Sequence, residues 1–407
     1  MSADQSQVVI VGSGHAGVHT AASLRAEGWA GGITLLDEES HVPYERPPLS
    51  KEALKKPAGF EPPLLRKESF YGAKDIRRIP NSRAGRLDRD RQEVVTTDGQ
   101  TFPYHRLVLA TGARARPLAI PGNALSGVHY LRRRDEALAL KEALAPGRRV
   151  VIVGAGYIGM EVAAAASALG CDVTVIEFAA RAMSRVTSSV VSEHFRRLHE
   201  AQGVRFVFGA AVARIEGEKA ATAVVTADGA AYPADVVVVG VGIIPNDQLA
   251  ADAGLDCLDG ILVDADGRTS DPHIYAAGDV ARARRADGAP GLRLECIQSA
   301  VAQGSVVAAS IAGAVKDGGE VPWFWTVQHD VRLQTAGLWH PDDDVVVRGA
   351  GGDGFSVLYL RQGRLAAVDT VNALQDFVPA KKLIAAGSMI DRAAATDPST
   401  KLTLATL

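Results

Sequence analysis

The chain is poor in cysteine, in net charge and in long apolar runs. Three cysteines, Cys171, Cys257 and Cys296, are scattered through 407 residues without a C-x-x-C or similarly close pair. That spacing excludes a local disulfide framework and a short-spaced thiolate metal motif. The three read as buried free thiols, and no metal site is expected. A formal net charge of −3 excludes the global basicity of a nucleic-acid binder. No apolar run reaches the about 18 residues of a membrane span, and the N-terminus enters an apolar strand near Gln7, which reads as neither a signal peptide nor an anchor. A cytoplasmic protein with no nucleic-acid or membrane partner is expected. At 47% hydrophobic and 22% charged residues the composition is that of a soluble globular protein, and the length suggests two or three domains.

Two glycine patterns stand out. Gly12-Ser13-Gly14-His15-Ala16-Gly17 and Gly154-Ala155-Gly156-Tyr157-Ile158-Gly159 lie about 140 residues apart, each preceded by an apolar run, Gln7 to Val11 and Arg149 to Val153. Such runs read as short buried parallel strands. In this context the first glycine permits a tight turn, the second lets backbone approach a pyrophosphate, and the third lets the helix pack on the strand with its N-terminus toward the phosphates. A ribose-holding acid is expected roughly 20 residues on. After the first loop it is Asp37 or Glu38, and after the second it is Glu177. One such loop is weak, because glycine turns also serve packing alone. Two complete copies imply two dinucleotide sites.

The strand-rich segments divide the chain. The first unit runs to Leu107-Val108-Leu109-Ala110-Thr111-Gly112, and the second, from about Arg114, ends with Val236 to Val239 and the turn Gly240-Val241-Gly242. The strand and turn from Ile274 to Asp279 and an alanine-rich helix from about Gln298 to Ala312 lack a fingerprint of their own and most simply complete the first unit. Beyond Pro322 the pattern alternates as β-structure at Asp344 to Arg348 and Phe355 to Leu360, then turns helical near Ala380 to Ala386. The expected division is 1–113 with 245–322, then 114–244, then 323–407. The residues from about Ala393 are small and polar and are expected to be loosely ordered.

Beside the first loop stand PYERPPLSK at Pro43 to Lys51, LATGARARPL at Leu109 to Leu118, VVIVGAGYIGMEVA at Val150 to Ala163, YAAGDVA at Tyr275 to Ala281 and PWFW at Pro322 to Trp325, of which PPLSK and PWFW are far more selective than the glycine loops. With them the chain resembles, over nearly its whole length, the FAD-dependent NADH:ferredoxin reductases of bacterial oxygenase systems, the putidaredoxin reductase and biphenyl dioxygenase reductase type. The resemblance implies the glutathione-reductase architecture: an α/β fold of two Rossmann-like dinucleotide-binding domains, for FAD and NAD, plus a small α+β C-terminal domain. It also implies hydride transfer from NADH to FAD, then single-electron transfers to a [2Fe-2S] ferredoxin feeding a Rieske-type oxygenase or a cytochrome P450.

The site residues follow from the same resemblance. Gly12, Gly14, Ala16 and Gly17 surround the FAD pyrophosphate, Glu38 with Asp37 beside it takes the adenosine ribose, and Asp279 meets the ribityl chain, whose hydroxyls suit a carboxylate acceptor. Arg46, Ala84, Ala110, Thr111, Gly112, Arg132 and Ile297 line the same cofactor. Lys51 lies beside the flavin's redox-active edge as a fixed cation that favours the reduced ring, and Glu161 pairs with it; these two are the candidate catalytic residues. Gly154, Gly156, Ile158 and Gly159 receive the NADH pyrophosphate, Glu177 the ribose diol, and Gly242 lets the nicotinamide half pass close to backbone. A carboxylate at Glu177 repels a 2′-phosphate, although Arg181 and Arg185 just downstream are of the type that accommodates one; NADH is expected, with Arg185 at its site. Trp323 and Trp325 read either as core aromatics or, for Trp325, as a flavin neighbour near which the ferredoxin docks. An acidic ferredoxin needs a local basic surface, and Arg282, Arg284, Arg285 and Arg293 form the first candidate, with Arg77-Arg78 and Lys381-Lys382 behind it.

Other readings of the same fold differ in what they require. A disulfide reductase needs a cysteine pair on the first-unit helix, and residues 38–60 contain none. An NADH oxidase or diaphorase without a redox cysteine is the alternative enzyme. A flavoprotein binding module of the apoptosis-inducing-factor type is the alternative from another class, and the long insertion or targeting segment that would favour it is not evident.

Overall fold

The computed structural model describes residues 6–56, 59–285, 287–316, 318–349 and 354–402. They form two compact units, one of residues 1–45, 63–114 and 243–322, the other of residues 46–62, 115–242 and 323–407.

In the first unit a five-stranded sheet runs in the order Ile274–Ala276, Arg106–Leu109, Val8–Val11, Ile33–Leu36, Ile76–Ile79, with every neighbouring pair parallel. Val8–Val11 and Ile33–Leu36 are buried at every residue, which is why they read as unbroken apolar runs rather than alternating ones. The helices His15–Ala26 and Ile297–Ala312 pack together on one face, their Ala16, Val18, Ala21 and Leu24 sharing a core with Ala300, Val307, Ala308 and Ile311. A three-stranded antiparallel sheet, Ala84–Asp88, Glu93–Thr96 and Thr101–Pro103, completes the other side.

The second unit repeats the design. Its parallel sheet runs Arg205–Phe208, Asp172–Glu177, Arg149–Val153, Val236–Val239, Val128–Tyr130. A five-stranded antiparallel sheet follows from Trp323, in the order Trp323–Gln328, Val331–Gly337, Arg364–Val371, Phe355–Arg361, Asp344–Arg348, and the helix Leu374–Ala385 packs on it. One apolar core joins the two parts, since Met160, Val162 and Phe195 cluster with Leu333, Val357, Tyr359 and Val371. The fold class is therefore the expected one, two parallel nucleotide-binding sheets and an α+β C-terminal part.

Two expectations are corrected. The tail from Ala393 is ordered through residue 402: Asp391 caps the helix Arg392–Thr396 by accepting from Ala394 N. The buried Arg348 guanidinium donates to the carbonyls of Ala395 at 3.4 Å, Pro398 at 3.3 Å, Thr400 at 2.5 Å and Asp397, besides the Asp376 carboxylate at 3.1 Å. A five-donor cation holds a segment whose own composition suggests no order; residues 403–407 lie outside the described residues. The three thiols are free but only half-buried, Cys171 and Cys257 packing at the margins of the cores, and partial burial beside Asp247 and Asp256 pushes the Cys257 thiol up to about 11.

Candidate active site

Both glycine loops take one geometry, and crowding explains it. Gly12 has φ +107° and Gly154 φ +102°; a Cβ at Gly12 would lie 2.2 Å from Ala110 O, and one at Gly154 2.5 Å from Gly240 O. Gly17 and Gly159 are equally obligatory, because a Cβ there would lie 1.9 Å from Gly12 O and 2.1 Å from Gly154 O. The middle glycines differ. Gly14 and Gly156 precede the helices His15–Ala26 and Tyr157–Ala168, and a Cβ on either would meet open space within 4 Å among the described residues. Packing within the chain does not account for glycine at these two positions; a ligand close to the backbone does. The first turns of both helices carry no acid, leaving the positive end of each dipole available to phosphate. The residues present thus fit two dinucleotides.

The first unit gathers most residues named for FAD at the C-terminal ends of its strands, where such sheets bind ligands. A Cβ at Gly278 would lie 2.9 Å from the Ala16 Cβ and 3.8 Å from that of Ala300, so the turn carrying Asp279 abuts the glycine loop and the helix that begins at Ile297. Ala110 is buried, and Thr111 and Gly112 are tied to Asn246 by hydrogen bonds of 2.8 to 2.9 Å. Ala84 opens the antiparallel sheet, half-buried. The acid pair separates in role. Asp37 is 3% exposed and accepts from Glu39 N at 3.1 Å, from Arg78 at 3.3 Å and from the Ser13 hydroxyl of the loop. Burial raises its carboxyl despite the Ser13 bond. Glu38, 42% exposed and 3.8 Å from Arg83, offers the reachable carboxylate. Arg78, itself only 9% exposed, is a brace for Asp37 and not part of a docking surface.

The second unit holds the rest. Glu177 closes its strand by accepting from Ala155 N at 2.6 Å and Ala179 N at 2.8 Å, which sets the carboxylate against the glycine loop. Arg185 is exposed and brings its guanidinium to 3.6 Å from the Cβ position of Gly242, whose φ is +105°. Arg181 instead donates to Ser184 O at 3.1 Å. Ile158 stays 42% exposed at the loop, and beside Glu177 the Phe178 ring is 78% exposed, an aromatic face that no motif in the sequence signals.

Lys51 and Glu161 meet in this unit. Pro47 and Pro48 pre-set the φ of a 3-10 turn, Pro47–Ser50, suiting a helix start, and the turn sets Ser50 and Lys51 side by side. Lys51 Nζ lies 2.7 Å from Glu161 Oε1, with the side chains 11% and 1% exposed. Lys51 also donates to Pro47 O at 3.2 Å. Ser50 donates to Glu161 Oε2 and Thr326 donates to Oε1 at 2.6 Å. Helix spacing makes this possible: Tyr157 and Glu161, four apart, share a face, and Phe324 and Thr326, two apart, share a strand face. Tyr157 packs on Phe324 at 4.5 Å between ring centroids, just as Glu161 meets Thr326. Trp323 and Trp325 alternate to the other face, half-buried, 5.6 Å apart, with Lys381 5.4 Å from the Trp323 ring. Arg46 donates to Arg132 O at 2.7 Å. Sequence spacing could not have paired Ser50 and Thr326 with Glu161, since they stand 111 and 165 residues from it.

The arginine cluster is compensated. Arg284 lies 2.7 Å from Asp256, Arg293 2.8 Å from Glu295, Arg282 4.0 Å from Asp259, and Arg285 pairs with Asp287. Among the described residues no helix is long and apolar enough to cross a membrane, and no group of three His, Cys, Asp or Glu is placed to hold a metal ion.

The fold and the two loops define an FAD-containing, NAD(P)H-dependent oxidoreductase, and comparison with known proteins narrows the class. Residues 6–304 match the pyridine nucleotide-disulphide oxidoreductase family and residues 323–406 the reductase C-terminal family. A probable ferredoxin reductase, CtmF, of Castellaniella defragrans is 42% identical over 402 residues, 98% of each chain. The ferredoxin reductase of the CYP199A2 system from Rhodopseudomonas palustris superposes with a TM-score of 0.94 at 40% identity, over 98% of this chain and 100% of that one. The covalent putidaredoxin reductase–putidaredoxin complex matches with a TM-score of 0.92 at 38% identity, over 98% and 97%. The chain belongs to the ferredoxin reductase family.

Proposed function

We infer that this protein takes hydride from NADH onto bound FAD and passes the electrons singly to a small [2Fe-2S] ferredoxin that serves a Rieske-type oxygenase or a cytochrome P450. The buried Lys51–Glu161 pair carries this reading. Placing two opposite charges inside a protein costs several kcal/mol per ion before their attraction is counted, so a buried pair next to a dinucleotide loop calls for a use. When bound, FAD supplies the conversion of a two-electron donor to one-electron delivery.

The chain's own residues do the positioning. Gly14 and Gly156 leave backbone room for the pyrophosphates, Glu38 and Glu177 accept from the ribose hydroxyls, and Asp279 meets the ribityl chain. Arg46, Ala84, Ala110, Thr111, Gly112, Arg132, Ile297 and Trp325 contact FAD, while Ile158, Arg185 and Gly242 contact NADH. Lys51 supplies a fixed positive charge where negative charge develops on the flavin ring, and Glu161 holds that ammonium. The corresponding domains are 1–113 with 245–322 for FAD, 114–244 for NAD and 323–407 for the C-terminal part, in a cytoplasmic protein. The ferredoxin docks near Arg282, Arg284, Arg285, Arg293 and Trp325. Because those arginines already face carboxylates, each contributes modestly.

Anaerobic addition of NADH to the purified protein should bleach the flavin spectrum, and subsequent cytochrome c reduction should depend on added [2Fe-2S] ferredoxin. Bleaching reversed only by oxygen or quinone would instead identify an oxidase or diaphorase, and no bleaching would identify a binding module.

A further inference from the structure

Glu161 sits at the end of a chain of buried polar side chains. Ser50 and Glu161 are 2% exposed, and Thr326, Gln328 and His199 are 0% exposed. Thr326 gives its proton to Glu161 Oε1 at 2.6 Å, so its oxygen must accept from whatever lies behind it, and Gln328 Nε2 lies there at 3.5 Å. The same nitrogen faces the Met183 sulfur at 3.7 Å, which also accepts. The amide orientation is thereby fixed, because turning it would set Gln328 Oε1 against an oxygen with no proton to offer. Gln328 Oε1 then accepts from His199 Nε2 at 2.9 Å. His199 Nδ1 is buried with no hydrogen-bond partner among the described residues, so with Nε2 donating it is the bare nitrogen of a neutral imidazole. The His329 ring, 4.7 Å away between centroids, and Phe206 at 6.1 Å offer no countercharge, and burial lowers His199 to about 4. From His199 through Gln328 and Thr326, donation runs toward the carboxylate.

We propose that Thr326, oriented by Gln328 and neutral His199, and Ser50 on the other oxygen are positioning residues that fix the Glu161 carboxylate on Lys51. Ser50, Lys51 and Thr326 are all donors, the set a carboxylate needs, and together they leave its two oxygens one orientation. Both hydroxyls are buried and donate to the carboxylate, so each acts through Glu161. The strand that carries Trp325 is by the same contact tied to the nucleotide-binding helix. The inference rests on the reading that Lys51 and Glu161 serve NADH-driven flavin reduction.

The test is anaerobic stopped-flow reduction of the flavin-loaded enzyme by NADH. Thr326→Val should lower the limiting reduction rate about ten-fold, as loss of one hydrogen bond to a charged group allows, while the NADH concentration at half-maximal rate changes less than about two-fold. Thr326→Ser should restore the rate to within about two-fold, and Ser50→Ala should slow it in the same pattern, which keeps the test open if Thr326→Val folds poorly. In a Glu161→Gln background Thr326→Val should add nothing, the signature of residues acting as one unit. A wild-type rate for Glu161→Gln would remove the underlying reading. A slow Glu161→Gln together with wild-type rates for Thr326→Val and Ser50→Ala, or with an equal loss from Thr326→Val in the Gln background, would overturn the positioning role alone.

Discussion

Two of the buried carboxylates of the second unit, Glu161 and Asp369, are treated differently. Glu161 faces an ammonium at 2.7 Å and two hydroxyls. Asp369, 2% exposed, accepts among the described residues from two hydroxyls, those of Thr187 and Tyr359, the latter at 2.5 Å. Burial pushes the Asp369 carboxyl up to about 6, and the two hydroxyl bonds only partly oppose it. Hydroxyls suffice to tie the Thr187 loop to the C-terminal sheet, so Asp369 is a fastening of the fold. Glu161 takes an ammonium from a separate segment, at the desolvation cost of a second ion, and does so on the helix that opens at the glycine loop; the buried Arg348 beside Asp376, far from either loop in sequence, only holds the tail. Burial alone does not distinguish Glu161 from Asp369; the charged partner together with the place beside the glycine loop does.

Removing the cation should have the largest effect. Lys51→Met leaves Glu161 buried without a countercharge, so the variant should lose about 3 kcal/mol of stability in denaturant titrations. It should still bind FAD, yet be reduced by NADH about a hundred-fold more slowly. Unchanged reduction kinetics would make the pair a fastening like Asp369.

Asp369 sharpens the contrast through pH. Its folded value of about 6 lies above the ordinary 3.8, so between these values the folded chain keeps a proton that the unfolded chain has released. Its contribution to stability is full below about pH 4 and is lost as pH rises through about 6. Asp369→Asn removes that dependence. Its stability relative to wild type should rise by roughly 3 kcal/mol from pH 3 to pH 7.5, because each pH unit that separates the folded from the unfolded value is worth about 1.4 kcal/mol. Melting curves across that range would measure it, and a flat difference would contradict the assignment.

The smaller effects concern charges at the surface. Glu177→Ala should narrow the preference for NADH over NADPH by about ten-fold, by removing the carboxylate that repels a 2′-phosphate; kcat/KM for the two nucleotides measures it. Arg284→Ala should raise the KM for ferredoxin by only about two-fold, with kcat unchanged and the effect fading in salt, because Asp256 already pairs with that guanidinium.

Local chemistry was legible in the sequence, and long-range partnership was not. The glycine loops, the buried parallel strands and the acids that close them can be read directly because their spacing is set by one turn and one helix. Lys51 and Glu161 were paired only through the family's PPLSK and GYIGME segments, since 110 residues separate them. Ser50, Thr326, Gln328 and His199 carry ordinary side chains whose meaning arises only when a helix face and a strand face align. The order of the tail was missed for the same reason, because the buried Arg348 that binds its carbonyls lies 47 residues before Ala395. The arginine cluster marks the same limit: four like charges close in sequence read as a basic patch, and the acidic partners that temper it are seen only in the structure.

The most direct measurement is the anaerobic NADH reduction rate of Glu161→Gln and Asp369→Asn, taken side by side on flavin-loaded protein. The account predicts a loss of ten-fold or more for Glu161→Gln, about 1.4 kcal/mol at least, and a rate within about two-fold of wild type for Asp369→Asn. Equal rates in the two variants, or a larger loss at Asp369, would contradict it.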